Sequence, residues 1–365
     1  MECQQWPEPV IRVQALAQSG LDKIPERFVK PESVRPMVNQ KKSDTNDDDI
    51  NIPLIDLKGL TEEEAARQVG EACREWGFFQ VVNHGVRKEL MKKAREVWRE
   101  FFMQPLEEKE KYANSPTTYE GYGSRLGVKK GAVLDWSDYF FLHYLPLSLR
   151  NHSKWPSLPP SLRKVIDEYG EEVVKLGGRM LKLLSMNLGL QEDFLLKSFG
   201  GDLEEGLGAC LRVNYYPSCP QPDLTLGLSS HSDPGGMTIL LPDDHVSGLQ
   251  VRQADDWITI KPVPNAFIIN MGDQIQVLSN AIFKSIEHRV IVNSNKDRVS
   301  LAFFYNPKSD LLIQPAKELV TEDRPSLYPP MTFDEYRLYI RTKGPSGKSQ
   351  VDSLNSSSSS NKSSS

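Results

Sequence analysis

Between residues 209 and 305 the chain is cut into eight short runs rich in β-branched, aromatic and aliphatic residues, separated by Pro, Gly and Asp: 209–216, 238–241, 249–251, 257–260, 267–271, 274–278, 288–292 and 299–305. Runs this short bury little alone, so they must pair and close on one another as a sandwich or barrel. A jelly roll is one economical closure. Nothing else in the chain narrows its fold as far.

The flanking segments read as helices and a few strands. Ser161 is expected to cap the longest helical pattern, in which Val165, Tyr169, Val173, Leu176, Met180, Leu183, Leu184 and Asn187 recur at three- and four-residue steps until Gly189. That helix should lie along the sheet. Upstream, Thr61 and Glu64 form a capping box for a helix running to Trp76. Residues 87–104 carry a stripe of Leu90, Ala94, Val97, Phe101 and Phe102, which is core rather than cofactor contact. Strands are expected at 52–57, where Pro53 is tolerated at an edge, at 78–82, and at 135–143. In the last of these Tyr139, Phe141 and His143 share one face. His84 stands alone in a turn and is read as a hydrogen-bonded turn histidine. A short helix at 10–19 and a last one at 332–342, after Tyr328-Pro329-Pro330, complete the pattern.

The expected class is therefore α+β. The divisions are 1–50 (helix and polar loop, with a solvated acidic run at 43–49), 51–205 (N-terminal region with the long supporting helix), 206–308 (jelly roll), 309–343 (C-terminal helix over the cavity) and 344–365, a Ser-rich tail expected to be disordered.

Charge and cysteine usage exclude several partners. The 44 basic and 49 acidic side chains leave a net charge of −5, with no dense basic run, which argues against nucleic acid. No apolar stretch approaches the roughly 20 residues that span a bilayer, and the N-terminus carries no apolar signal region. Four cysteines make neither a disulfide framework nor a CxxC pair, as in a reducing compartment. A cytoplasmic location, or a cytoplasmic and nuclear one, is expected, with no membrane partner.

Three constellations could carry chemistry. In His231-Ser232-Asp233, if extended, residues two apart put an imidazole and a carboxylate on one side. On its own the triplet also suits a turn or any divalent ion. His288, opening a strand, is a candidate third ligand; two histidines and a carboxylate leave about three coordination positions open on iron(II). A structural zinc site would be closed and richer in cysteine. Arg298 and Ser300 share a strand face and together make a carboxylate receptor, the alternative being a solvated arginine beside a filler serine. Arg212, Asn214 and Tyr216 alternate with Leu211, Val213 and Tyr215, and such a polar face in a small barrel is costly unless it lines a wet or ligand-filled cavity. The glycine-rich stretch 119–127 opens no helix after a strand and is not read as a dinucleotide loop.

Asn214-Tyr215-Tyr216-Pro217, His231-Ser232-Asp233, His288 and Arg298-Val299-Ser300 resemble the signature of plant iron(II) and 2-oxoglutarate-dependent dioxygenases. Ile52-Pro53-Leu54-Ile55-Asp56-Leu57 and the stretch from Trp76 to Gly85 resemble that family's N-terminal region, and the likeness spans about residues 10 to 345. Within the family the chain is most similar to the jasmonate-induced oxygenases, through residues 116–127, 134–139, 233–238 and 331–338. The resemblance implies a double-stranded β-helix with iron(II) on His231, Asp233 and His288. It implies 2-oxoglutarate on Arg298 and Ser300 with Asn214 and Tyr216, dioxygen as the other cosubstrate, and ascorbate as reductant.

Substrate choice should fall to cavity groups outside that set. Arg212 is one. Phe333, Arg337 and Arg341 lie at i, i+4 and i+8 of the last helix and could close the cavity mouth; the alternative is that these arginines are solvated helix-end cations. The resemblance implies that the arginines hold the carboxylate of a small oxylipin while Phe141 and Phe304 pack its apolar body. The expected activity is hydroxylation of jasmonic acid to 12-hydroxyjasmonic acid, removing hormone precursor and damping jasmonate defence signalling. A flavonoid-oxidising dioxygenase, of the anthocyanidin synthase or flavonol synthase type, is the alternative, and a non-catalytic jelly roll binding metal or small acids is the reading from another class. A zinc hydrolase fits less well, for want of an evident carboxylate base.

Overall fold

The computed structural model describes residues 5–36, 51–127, 129–201, 205–343 and 347–354. Their strands, in chain order, are Leu54–Asp56 (β1), Phe78–Val82 (β2), Gly121–Gly123 (β3), Asp138–Leu145 (β4), Gly208–Tyr216 (β5), Leu228–His231 (β6), Met237–Leu241 (β7), Leu249–Gln253 (β8), Asp256–Thr259 (β9), Phe267–Met271 (β10), His288–Val290 (β11), Arg298–Asn306 (β12), Leu312–Ile313 (β13) and Met331–Thr332 (β14). The helices are Val13–Gln18 (α1), Glu62–Glu75 (α2), Lys88–Phe102 (α3), Leu106–Glu110 (α4), Leu162–Asn187 (α5), Phe194–Phe199 (α6), Asp273–Leu278 (α7), Phe333–Lys343 (α8) and Ser349–Leu354 (α9).

A large sheet runs β1-β2-β10-β7-β12-β5-β4-β3 and a smaller one β6-β11-β8-β9. Neighbours such as β5 and β12, or β7 and β10, are far apart in the chain, which is how a jelly roll closes. The N-terminal β1 to β4 add to both ends of the large sheet, β1 lying parallel to β2 at one edge, just after Pro53. The strict alternation of each strand then sorts its residues. Phe140 and Leu142 of β4, Leu211 and Val213 of β5, and Leu301 and Phe303 of β12 are buried in one core with the helices. The opposite faces of these strands turn toward the small sheet.

The long helix α5 packs across the outer face. A Cβ at its Gly177 would stand 2.1 Å from the Tyr305 ring, so the absence of a side chain is what lets helix and sheet approach. The Tyr305 hydroxyl donates to the Val173 carbonyl at 3.3 Å. Burying each such large side chain contributes on the order of 1.5–3 kcal/mol.

Two short-range sequence expectations hold, the capping box and the turn histidine. The Thr61–Glu64 capping box is formed in both directions. His84 Nδ1 accepts from the Val86 N–H at 3.2 Å and Nε2 donates to the Asn265 carbonyl at 3.0 Å, so both nitrogens are spent in the turn. Among the described residues no helix is long and apolar enough to cross a membrane.

Others are corrected. Residues 274–278 are a helix, not a strand, because the first-turn donors of α7 have a better use than a ladder. Asp273 N–H donates to Asp233 O at 2.8 Å and Gln274 N–H to Gly235 O at 2.9 Å. All of α7 is buried, so its period-two pattern marks no single face. Ser161 makes no side-chain cap, its backbone being already helical. Part of the tail expected to be disordered is ordered: Gly347 bridges to His231, and α9 buries Val351 completely. The acidic run at 43–49 and residues 355–365 lie outside the described residues.

Candidate metal centre

The small sheet brings the metal candidates together. In the antiparallel pairing of β11 with β6, His288 stands opposite His231, and their rings lie 4.3 Å apart. Asp233 follows two residues after His231, beyond the end of β6, so its place comes from the loop rather than from strand alternation. Its Oδ1 lies 3.6 Å from His231 Nε2 and 3.7 Å from His288 Nε2. The three ligand atoms are within 4.8 Å of one another.

Surrounding hydrogen bonds aim the lone pairs. His231 Nδ1 donates to the Ser229 carbonyl at 2.8 Å and His288 Nδ1 to the Ile286 carbonyl at 3.1 Å, which leaves each Nε2 unprotonated toward the centre. Asp233 Oδ2 is taken by the Thr238 hydroxyl at 2.5 Å and the Asn270 amide at 2.8 Å, leaving Oδ1 to face the imidazoles. Burial opposes ionisation of Asp233, yet the neighbouring His288 and His231 with the Asn270 amide outweigh it and hold its carboxyl well below the usual range. Burial, reinforced by the adjacent His231, pushes His288 down to about 4. His231 is buried too, but the bond and charge of Asp233 raise it. An anionic oxygen and two imidazole nitrogens with open space beyond them form the donor set of a non-haem iron(II) site, and the residues present fit that ion.

Asp273 ties this loop to the rest of the molecule. Its buried carboxylate accepts from the Ser232 hydroxyl at 3.1 Å, Ser285 at 2.7 Å and Tyr336, on α8, at 2.6 Å.

The metal candidates open onto a cavity of about 280 Å³ between the two sheets. The inward faces of β4, β5 and β12 line it in register: Arg298 opposite Tyr216, Ser300 opposite Asn214, and Phe141 opposite Arg212. Arg298 is 4% exposed, lies over the Tyr216 ring at 5.1 Å, and carries a buried Nε with no hydrogen-bond partner. Its Nη1 reaches the Ser300 hydroxyl at 3.5 Å. The orphaned guanidinium N–H beside a serine hydroxyl fits a carboxylate. Arg212 stacks on the Tyr139 ring at 4.0 Å and donates from Nε to Asn214 Oδ1 at 2.7 Å. Neither arginine has an acidic partner among the described residues.

Phe304, Phe333 and Arg337 also line the cavity. Arg337 is pinned to Asp334 and stands 3.3 Å from the Ser309 hydroxyl. Arg341 belongs to α8, but its side chain lies outside the described residues. Every other sequence-derived site residue reaches this space. Sequence reasoning missed Tyr119 and Leu126 from the glycine-rich stretch, Asn270 on β10, and Gln350 on α9. Period-two alternation along 267–271 could have placed Asn270. Nothing local signals Gln350.

Residues 207–307 match the 2OG-Fe(II) oxygenase superfamily, and residues 52–158 match the N-terminal family described as non-haem dioxygenase in morphine synthesis. Jasmonate-induced oxygenase 2 of Arabidopsis thaliana is 64% identical over 96% of this chain and 94% of its own length. Flavanone 3-dioxygenase 2 of Oryza sativa subsp. japonica is 42% identical over 88% of this chain and 92% of its own. The crystal structure of JOX2 in complex with 2OG, Fe, and JA superposes with a TM-score of 0.90 at 64% identity, covering 96% of this chain and 99% of that one.

Proposed function

The chain belongs to the 2OG-Fe(II) oxygenase superfamily, and from that premise we propose that it hydroxylates jasmonic acid to 12-hydroxyjasmonic acid, lowering the active hormone and damping jasmonate signalling. It is a 2-oxoglutarate-dependent dioxygenase that uses iron(II).

The observation that carries the substrate reading is the pair of acid-free arginines. A reaction with two carboxylic acids needs two receptors, and Arg298 and Arg212 face one cavity without an acidic partner among the described residues. Arg298 with Ser300 receives the distal carboxylate of 2-oxoglutarate, with Asn214 and Tyr216 beside it. Iron(II) held by His231, Asp233 and His288 supplies the oxidation: 2-oxoglutarate and dioxygen go to succinate and carbon dioxide while a C–H bond of the substrate becomes C–OH. Arg212 and Arg337 orient the second acid, and Phe141, Phe304 and Phe333 exclude water from its apolar body. Likeness to jasmonate-induced oxygenase 2 and to a structure with JA bound supports the same choice.

The test is incubation with iron(II), ascorbate, 2-oxoglutarate and jasmonic acid, followed by mass spectrometry for a product heavier by one oxygen. A flavonoid has no carboxylate for Arg212, so turnover of a flavanone or leucoanthocyanidin without turnover of jasmonic acid overturns the substrate assignment. Absence of succinate with every substrate would return the chain to the class of binding modules.

A further inference from the structure

We propose that Gln350 is a specificity-determining residue of this cavity: its amide oxygen takes a hydrogen from a hydroxyl on the bound acid, so it distinguishes the hydroxylated product from the parent substrate. The inference rests on the hydroxylation proposed above and adds the group that reads the new hydroxyl.

Gln350 sits in a C-terminal strap whose composition is that of a solvated tail, yet the strap is built into the site. The Gly347 N–H donates to the Ser230 carbonyl at 2.9 Å, and its own carbonyl accepts from the Ser232 N–H at 3.2 Å, so the strap flanks the ligand His231 on both sides. Gly347 does this at φ +64°, where an added Cβ would also stand 3.0 Å from Glu287 Oε1. Val351, fully buried, anchors the far end in the main core.

Between these anchors Gln350 lines the cavity at 8% exposure. Its Nε2 donates to the Tyr336 carbonyl at 2.6 Å, which fixes which way the amide points. Oε1 is left buried without a hydrogen-bond partner. A buried acceptor of this kind is costly until a donor meets it. An ionised carboxylate and a ketone offer no donor, whereas an alcohol offers one. Three residues of chain separate Gln350 from the bridge to His231, a reach of about 11 Å at most. The strap that carries Gln350 therefore starts beside a metal ligand, and the Gln350 side chain forms part of the cavity wall.

The experiment is anaerobic calorimetry on the enzyme loaded with iron(II) and 2-oxoglutarate, titrated separately with jasmonic acid and 12-hydroxyjasmonic acid. In Gln350→Met, which keeps the volume and removes the acceptor, the preference for the hydroxylated acid should fall roughly fivefold, the equivalent of about 1 kcal/mol, while the parent acid binds as well or better. In Gln350→Glu the acceptor remains, so the ratio of the two affinities should be kept even if both weaken. Using the ratio separates the readout from any general loosening of the strap. An unchanged ratio in the methionine variant, or equal weakening of both acids there, overturns the role of Gln350. If wild-type enzyme fails to turn over jasmonic acid, the substrate assignment falls and this inference with it; turnover with an unchanged ratio sinks Gln350 alone.

Discussion

The metal end of the cavity and its mouth are built on opposite principles. At the metal end every polar atom is committed. Both Nδ1 atoms are held by backbone carbonyls, Asp233 Oδ2 by Thr238 and Asn270, and the three remaining atoms converge. At the mouth and walls, groups are left over: Arg212 without an acid, Gln350 Oε1 without a donor, and Arg337 lent to Asp334. Preorganised donors suit an ion whose identity never changes. Spare groups suit a ligand that arrives, changes by one oxygen and leaves.

The strongest test of this contrast removes a committed group. His231→Ala or His288→Ala should abolish succinate formation with any substrate and release the iron, read by metal analysis; succinate persisting near the wild-type rate would break the contrast outright. Arg298→Ala should come next. Losing a buried charge-assisted hydrogen bond worth about 1.5–3 kcal/mol should raise KM for 2-oxoglutarate roughly ten- to hundredfold, and an unaltered KM would move the cosubstrate elsewhere.

Arg212→Ala probes the spare groups. Oxylipin turnover should drop about tenfold while succinate release uncoupled from hydroxylation continues, since the cation serves the second acid. Equal loss with a non-acidic substrate would count against the carboxylate role.

The last test concerns stability rather than turnover and lies where the two ends join. Burial, the three hydroxyl donors notwithstanding, and the nearby Asp233 push Asp273 up to about 6 from an ordinary 3.8. Between those values the folded chain binds more protons than the unfolded one. The contribution of Asp273 to stability is therefore fully present below pH 3.8, falls as pH rises toward 6, and levels off above. The span corresponds to about 3 kcal/mol. Thermal unfolding of wild type and Asp273→Asn from pH 4 to pH 7 should show the wild type losing ground against the variant across that window. Parallel curves would mean that Asp273 does not titrate there.

Much of the site was legible because strand alternation is local. Arg298 with Ser300, and Arg212 with Asn214 and Tyr216, each declare a shared face within a few residues, and the faces do turn inward together. Helix ends were legible where side chain and backbone meet at short range, as at Thr61 and Glu64. Residues 274–278 misled because an alternating run buried on all sides serves strand and helix equally. The strap at Gly347 to Leu354 misled because serine and lysine composition describes an isolated tail and not the open edge of β6 that pairs with it.

By itself the sequence determined which residue types share a face, where the chain must turn, and that two histidines, an aspartate and an Arg-x-Ser pair were available for iron and a keto acid. Tertiary structure alone decided that His288 stands across from His231, that each imidazole keeps its Nε2 free while His84 spends both nitrogens, and that Gln350 reaches the cavity. The physical reason is range. Alternation and capping act over two to four residues, whereas convergence of distant ligands depends on the register between strands, which is set by how the whole core packs.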